Sequence, residues 1–218
     1  MEKLTPALSR IYKLLLATYG PQQWWPGETP FEVMVGAILT QSTAWSNVEK
    51  AIANLKRADV LSPQAIRNLP QGDLAELIRP SGYYNVKTNK LKALVLWLGN
   101  SGDNLEKAFD KDTPVLRKEL LSVYGIGPET ADSILLYAAS KPVFVIDAYT
   151  RRIFRRLGLI SGEEGYDALQ QYFMNNLPAT ASLYNECHAL LVRLGKEACR
   201  TTARCNRCCL GKLCLKKI

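Results

Sequence analysis

Three groups of residues in this 218-residue chain have the types and spacing to do chemistry. The first is Asp147, which follows the apolar pair Val145-Ile146 and precedes Arg151 and Arg152 by one helical turn. A short apolar run ending in one acid delivers a carboxylate to a helix start, where the free N–H groups keep it ionised. Capping alone accounts for an Asp in that place, at about 1 kcal/mol. The second group is Gly125-Ile126-Gly127, followed by Pro128 and Glu129. Two residues without Cβ atoms allow a tight hairpin and close backbone approach. Pro128 suits the first position of the next helix, whose N–H groups suit a phosphate oxygen. The third is Cys199-x5-Cys205-x2-Cys208-x5-Cys214, within a stretch that holds five of the six cysteines in its last 20 residues. So dense a cluster is not a secreted disulfide framework. Four thiolates in this compass point to an iron–sulfur cluster or to tetrahedral zinc. Cys209 is then spare, and Cys187 reads as a buried helix residue.

These groups must be positioned by helices. Leu8, Ile11, Tyr12 and Leu15 recur at helical spacing up to Gly20-Pro21. The loop that follows carries the adjacent Trp24-Trp25-Pro26. The stretch from Phe31 to Gln41 is apolar nearly all round and is predicted to be a buried central helix, with Gly36 and Ala37 allowing close approach. An amphipathic helix is expected from Thr43 to Lys56, with Trp45 near its start. Ser62-Pro63 and Gln71-Gly72-Asp73 read as helix starts, Ser81-Gly82-Tyr83-Tyr84 as a turn, and Asn85 to Leu98 as the next helix. Thr113-Pro114 opens the helix that runs into the hairpin. No stretch alternates with period two, so the reading is all-α, with about ten short helices.

Net charge is +8. From Lys196 to Ile218 there are seven Lys/Arg and one Glu, so six of the eight excess charges lie in the final 23 residues. A basic chain favours a polyanion, most commonly nucleic acid, although a solvated surface has the same composition. Neither a signal-type N-terminal segment nor a run of about 18 apolar residues occurs, so a cytoplasmic protein without a membrane span is expected.

From residue 24 to 214 the chain resembles the DNA glycosylases related to endonuclease III, through the glycine hairpin, the acid about twenty residues on, and the cysteine pattern. The resemblance implies two lobes: a six-helix barrel of residues 22–133, and a second lobe built from 1–21 and 134–218 that carries the iron–sulfur loop. It implies that Asp147 stabilises the cationic sugar as a base departs, as a carboxylate does in glycoside hydrolysis. Gly125, Ile126, Gly127 and Thr130 would bind the DNA backbone, with a monovalent cation at the hairpin. Bifunctional members hold a Schiff-base lysine where this chain has Glu129, and glutamate cannot do that chemistry.

Trp24-Trp25-Pro26, Leu39-Thr40-Gln41 and Trp45 resemble the alkylpurine branch, where such rings sandwich a flipped base. For scattered tryptophans, core packing is the plainer reading. A cationic alkylpurine gains roughly 0.5–2 kcal/mol from an aromatic face. Gln41 matches the residue that fills the vacated duplex, and Tyr83 the wedge at the opposite strand; capping and core packing are their structural alternatives. Cys199, Cys205, Cys208 and Cys214 match a 4Fe–4S loop whose first gap is one residue shorter here. Arg200, Arg204, Arg207 and Lys212 would face phosphates. His188, the only histidine, receives no role.

The expected protein is a monomeric, monofunctional glycosylase acting on double-stranded DNA with damaged bases such as 3-methyladenine. The alternatives are a bifunctional enzyme for oxidised pyrimidines, or a non-catalytic helix-hairpin-helix module.

Overall fold

A computed structural model describes residues 6–24 and 27–216 of the chain, and among these every regular element is helical. Trp25 and Pro26, expected in the base pocket, lie outside the described residues. The chain divides into two units: Trp25–Ser140, and Met1–Trp24 joined to Lys141–Ile218. The boundaries expected from the sequence were residues 22 and 133.

The first helix, α1 (Pro6–Tyr19), belongs to the discontinuous unit and buries Leu8, Ile11 and Leu15. The contiguous unit is centred on α2 (Pro30–Leu39). Thr29 caps it by accepting from the Glu32 amide at 3.1 Å, and Pro30 occupies its first position. Phe31, Val33, Met34, Val35, Ile38 and Leu39 are all buried, as an all-round apolar helix requires. Its one buried acid, Glu32, pairs with Lys56 at 2.9 Å. α3 (Trp45–Arg57) and α6 (Tyr84–Gly99) pack on α2, and α4 (Pro63–Asn68) and α5 (Gln71–Ile78) pack in turn on α6. The short α7 (Leu105–Phe109), capped by Asn104, precedes α8 (Thr113–Ser122). The hairpin then leads into α9 (Pro128–Ser133), which continues as a π turn at Ile134–Ala138, every residue of it buried. Arg117 on α8 forks onto Asp132 on α9 at 2.8 and 3.1 Å, and Asp132 has no exposed surface. This bidentate pair clamps the two helices of the hairpin.

In the other unit, the buried run Val143–Ile146 leads to α10 (Ala148–Leu157), followed by α11 (Tyr166–Asn176) and α12 (Ala181–Glu197). Phe144 stacks on Phe173 at 4.2 Å and meets Tyr184 edge-on at 5.5 Å, while Phe154 closes on Phe173 at 4.6 Å. This aromatic core ties α10, α11 and α12 together. α10 and α12 cross closely because Gly195 has no side chain: a Cβ there would lie 2.3 Å from Tyr149 Cδ1. The cysteine loop closes the unit, with a 3₁₀ turn at Cys205–Arg207. Among the described residues no helix is long and apolar enough to cross a membrane.

Candidate functional site

Asp147 is the N-cap of α10, in extended backbone at φ −106° and ψ 178°. Its Oδ1 accepts from the Thr150 amide at 2.7 Å, so one carboxylate oxygen is committed to the helix. The other, Oδ2, lies 3.6 Å from His188 Nε2 on α12. That approach is longer than a hydrogen bond and closes to one with a shift of roughly half an ångström. Burial works to raise the Asp147 pKa, but His188 and Thr150 outweigh it and hold the carboxyl below its ordinary range. The acid is therefore kept ionised while only 9% exposed.

The His188 ring is fixed by aromatics. Trp24 stacks on it at 5.8 Å and 27°, and Phe144 meets it edge-on at 6.4 Å and 90°. The segment carrying Trp24 is itself tied to α12, where Glu186 Oε1 accepts from the Gln22 amide at 2.8 Å. Sequence reasoning left His188 without a role, because the acid it faces lies 41 positions earlier. A lone buried histidine was the signal, and it has no periodicity.

The same helix anchors the cysteine loop. Arg152 Nε donates to the Cys199 carbonyl at 2.8 Å, and Arg156 donates to the carbonyls of Arg200 and Thr201 at 2.6 and 2.9 Å. Arg156 Nη1 also reaches Cys199 Sγ at 3.4 Å, and the Cys214 thiol donates to the Arg156 carbonyl at 3.2 Å. Burial pushes the Cys208 thiol up, opposed by the Leu210 amide and reinforced by Cys209, Cys199 and Cys214. Cys199, Cys208 and Cys214 are partly buried in the loop, Cys205 is exposed in the 3₁₀ turn, and none of the six cysteines is in a disulfide. Among the described residues, no group of three or more His, Cys, Asp or Glu closes to metal-ligating geometry. Cysteine thiolates are the donors that zinc and iron–sulfur centres take. Lys196, Arg204 and Arg207 line a recess of about 300 Å³ with Tyr19 and Glu197.

In the contiguous unit, the hairpin residues form a second constellation. Gly125 has φ +79°, a conformation that costs an L-residue roughly 1–2 kcal/mol. The aliphatic stem of Lys90 lies directly against it. Ile126 is buried and its amide donates to the Val123 carbonyl at 3.1 Å, so its side chain anchors the hairpin. Gly127 and Glu129 are exposed, and nothing lies within 4 Å of where a Gly127 Cβ would stand.

Gln41 was expected to reach into DNA; its side chain lies on the hairpin. Nε2 donates to the Gly125 carbonyl at 3.1 Å and to Thr130 Oγ1 at 2.9 Å, and Oε1 accepts from Lys90 Nζ at 2.5 Å. Three of the expected DNA-binding residues, Gln41, Gly125 and Thr130, are thus one hydrogen-bonded group. Tyr83 is 72% exposed, not packed in a core, and sits at φ +46° as the N-cap of α6. Such a backbone costs on the order of 1–3 kcal/mol and presents the ring to solvent. Tyr124, 62% exposed immediately before Gly125, was not anticipated. Trp45 is half-buried on α3, its ring over Gly36, where a Cβ would meet it at 3.5 Å.

Lys87 Nζ is buried and donates to the Leu39 and Ser81 carbonyls at 2.8 and 2.7 Å. Burial, with Lys90 adding to it, brings its pKa down to about 8.

A glycine hairpin on one unit and a buried, ionised acid at a helix start on the other can be compared with known proteins. Residues 35–179, which span α2 to α11, match the HhH-GPD superfamily of base excision DNA repair proteins. The chain belongs to this superfamily. The matched region contains both the hairpin and Asp147. The HhH-GPD chain is 50% identical over 210 residues to a candidate DNA repair glycosylase of Methanocaldococcus jannaschii, covering 95% of this chain and 96% of that one. It is similar to the structure of the H. pylori 3-methyladenine DNA glycosylase bound to 1,N6-ethenoadenine. Identity is 32% and the TM-score 0.76, over 89% of this chain and 98% of the other. It shares the fold of endonuclease III in a non-covalent DNA complex, with a TM-score of 0.82 at 19% identity over 96% and 94% of the two chains. The protein is a DNA glycosylase of the HhH-GPD type that serves base excision repair.

Proposed function

We propose that this glycosylase removes alkylated purines such as 3-methyladenine from double-stranded DNA by direct hydrolysis, with Asp147 as the catalytic carboxylate and no Schiff base. The observation that carries the reading is the Asp147 carboxylate, buried yet held ionised, with one oxygen uncommitted to the helix cap. The 3-methyladenine activity in the name of the H. pylori relative supports the substrate class.

The hairpin backbone at Gly125–Gly127 grips phosphates through bare peptide groups, aided by Thr130 and by the basic residues of the cysteine loop. Tyr83 and Gln41 act as wedges, Gln41 after leaving its hairpin partners. Trp24, Trp25, Pro26, Trp45 and Glu129 are the residues assigned to the base, and the positive charge of an alkylpurine strengthens its stacking on an aromatic ring. The C1′–N bond breaks with its electron pair going to the base, which leaves neutral. Asp147 faces the cationic sugar, water adds its oxygen to C1′, and the water proton is released through the carboxylate. An abasic site remains on an intact strand.

Glu129 stands where a lysine would attack. The amine with the most depressed pKa, Lys87, is spent on two backbone carbonyls. Cys199, Cys205, Cys208 and Cys214 would hold a 4Fe–4S cluster, which supplies no step of hydrolysis and stiffens the loop that Arg152 and Arg156 fasten to α10.

The test is product analysis on methylated duplex DNA, with base release followed chromatographically and borohydride added in parallel. Free 3-methyladenine, uncut strands before alkali, and no trapped adduct are expected. Efficient trapping moves the protein to the bifunctional branch, and no base release on methylated DNA removes the substrate class.

A further inference from the structure

The Asp147 carboxylate leaves one feature unexplained: what aims Oδ2. Thr150 fixes Oδ1, but a single amide bond at 2.7 Å leaves the carboxylate plane free to rock about it. A carboxylate that must face a developing cation works only within a narrow range of positions. His188 is the group set to narrow it. Its ring is 4% exposed, stacked on Trp24 and met edge-on by Phe144, which itself is locked between Phe173 and Tyr184. Rotation of the imidazole is blocked on a face and an edge, and Nε2 is left 3.6 Å from Oδ2. All of these residues lie within one unit, so the arrangement depends on no domain movement.

We propose that His188 is the positioning residue of Asp147, and that its stack with Trp24 joins that ring and the catalytic carboxylate into one rigid body. The inference deepens, and rests on, the assignments of Asp147 as the catalytic carboxylate and of Trp24 to the base. A base seated on Trp24 lies one ring away from the imidazole that aims Oδ2. Seating and aiming are therefore coupled, and loosening His188 harms the chemical step more than it harms DNA binding.

The contrast between two amides tests this in the full-length protein. The Gln side chain places its N–H group near the position of Nε2, whereas the Asn amide falls short of it and reaches only the Nδ1 position. His188→Asn is expected to slow single-turnover base release from methylated duplex about 10- to 100-fold, the loss that a small misplacement causes. His188→Gln is expected to recover to within about threefold of the parent. Affinity for undamaged duplex reports folding and stays unchanged in both. Duplexes carrying a cationic pyrrolidine or a neutral tetrahydrofuran abasic analogue supply a second readout. The preference for the cationic one falls in His188→Asn by a factor similar to the rate loss, and survives in His188→Gln.

Equal rates for Asn and Gln variants overturn the proposal. So does a slowed Asn variant that keeps the full cationic preference, since that marks a merely structural defect. Asp147→Asn is run alongside: if it releases base normally, the assignment of Asp147 falls and this proposal with it. If it is inactive while both His188 variants are normal, only the role of His188 is lost.

Discussion

The two hairpin glycines separate what the fold needs from what DNA needs. Gly125→Ala forces a Cβ onto a backbone with φ +79° and drives it to within 2.4–2.7 Å of the Lys90 Cγ, Cδ and Cε atoms. The backbone alone costs about 1–2 kcal/mol. Lys90 must also move, and its bond to Gln41 Oε1 goes with it, adding about 0.5–1.5 kcal/mol. The sum is about 1.5–3.5 kcal/mol, which lowers the thermal midpoint by roughly 3–14 °C for a chain of this size. Gly127 is the opposite case. Its φ is −93°, and nothing lies within 4 Å of an added Cβ. Gly127→Ala is therefore expected to leave stability unchanged or raise it by about 0.4–1 kcal/mol through the unfolded chain. If bare backbone meets phosphate there, the methyl group intrudes on DNA instead. Duplex affinity, read by fluorescence anisotropy, then falls similarly for damaged and undamaged DNA, because phosphate contacts carry no sequence information. Two thermal melts and two binding curves decide the matter. Equal destabilisation by both substitutions, or normal DNA affinity in Gly127→Ala, refutes the reasoning.

Further outcomes are expected. Asp147→Asn keeps an oxygen for the Thr150 amide but gives up the charge at the α10 start and towards His188, so it costs about 1–2 kcal/mol in a denaturant titration. Its base release nonetheless falls about 100- to 1000-fold, the loss typical of a removed electrostatic stabiliser. A depressed pKa means that the stabilising charge of Asp147 is present above the ordinary aspartate range and lost only as pH falls through the lowered value. Decline in activity between pH 7 and 5 therefore does not come from this carboxylate, as a pH–rate profile of the wild type against Asp147→Glu checks. Asp132→Ala removes the buried carboxylate that Arg117 forks onto and destabilises by about 1.5–3 kcal/mol, measurable by urea unfolding. Lys87 has a folded pKa of about 8 against 10.5 ordinarily, so the unfolded chain binds the extra proton between those values and stability from this group rises with pH across them. Lys87→Met should flatten that rise and, by stranding the Leu39 and Ser81 carbonyls, cost about 1–3 kcal/mol at pH 7.

The sequence by itself determined what depends on neighbours a turn away. Ser62-Pro63 announces a helix whose cap forms as expected, and Asp147 caps α10 within three residues. The all-round apolar stretch from Phe31 names the central helix, and the glycine hairpin and later acid point to the HhH-GPD superfamily. Missed locally was α7, five residues long, too short for periodicity to register, along with the π turn, whose Ile134–Ala138 run is simply apolar. The arrangement of the site was decided by tertiary structure. His188 meets an acid 41 positions away, Lys87 meets a carbonyl 48 positions away, and Gln41 meets Gly125 across 84. Tyr83 is exposed because two successive positive-φ residues turn its ring outward, and a residue pattern carries no such angle. Caps and periodicity are encoded within a turn or two, where chain connectivity fixes the neighbours. The surroundings of a buried polar group are fixed only when distant helices pack, and that packing sets whether Asp147 is a cap alone or an ionised acid with an aimed oxygen.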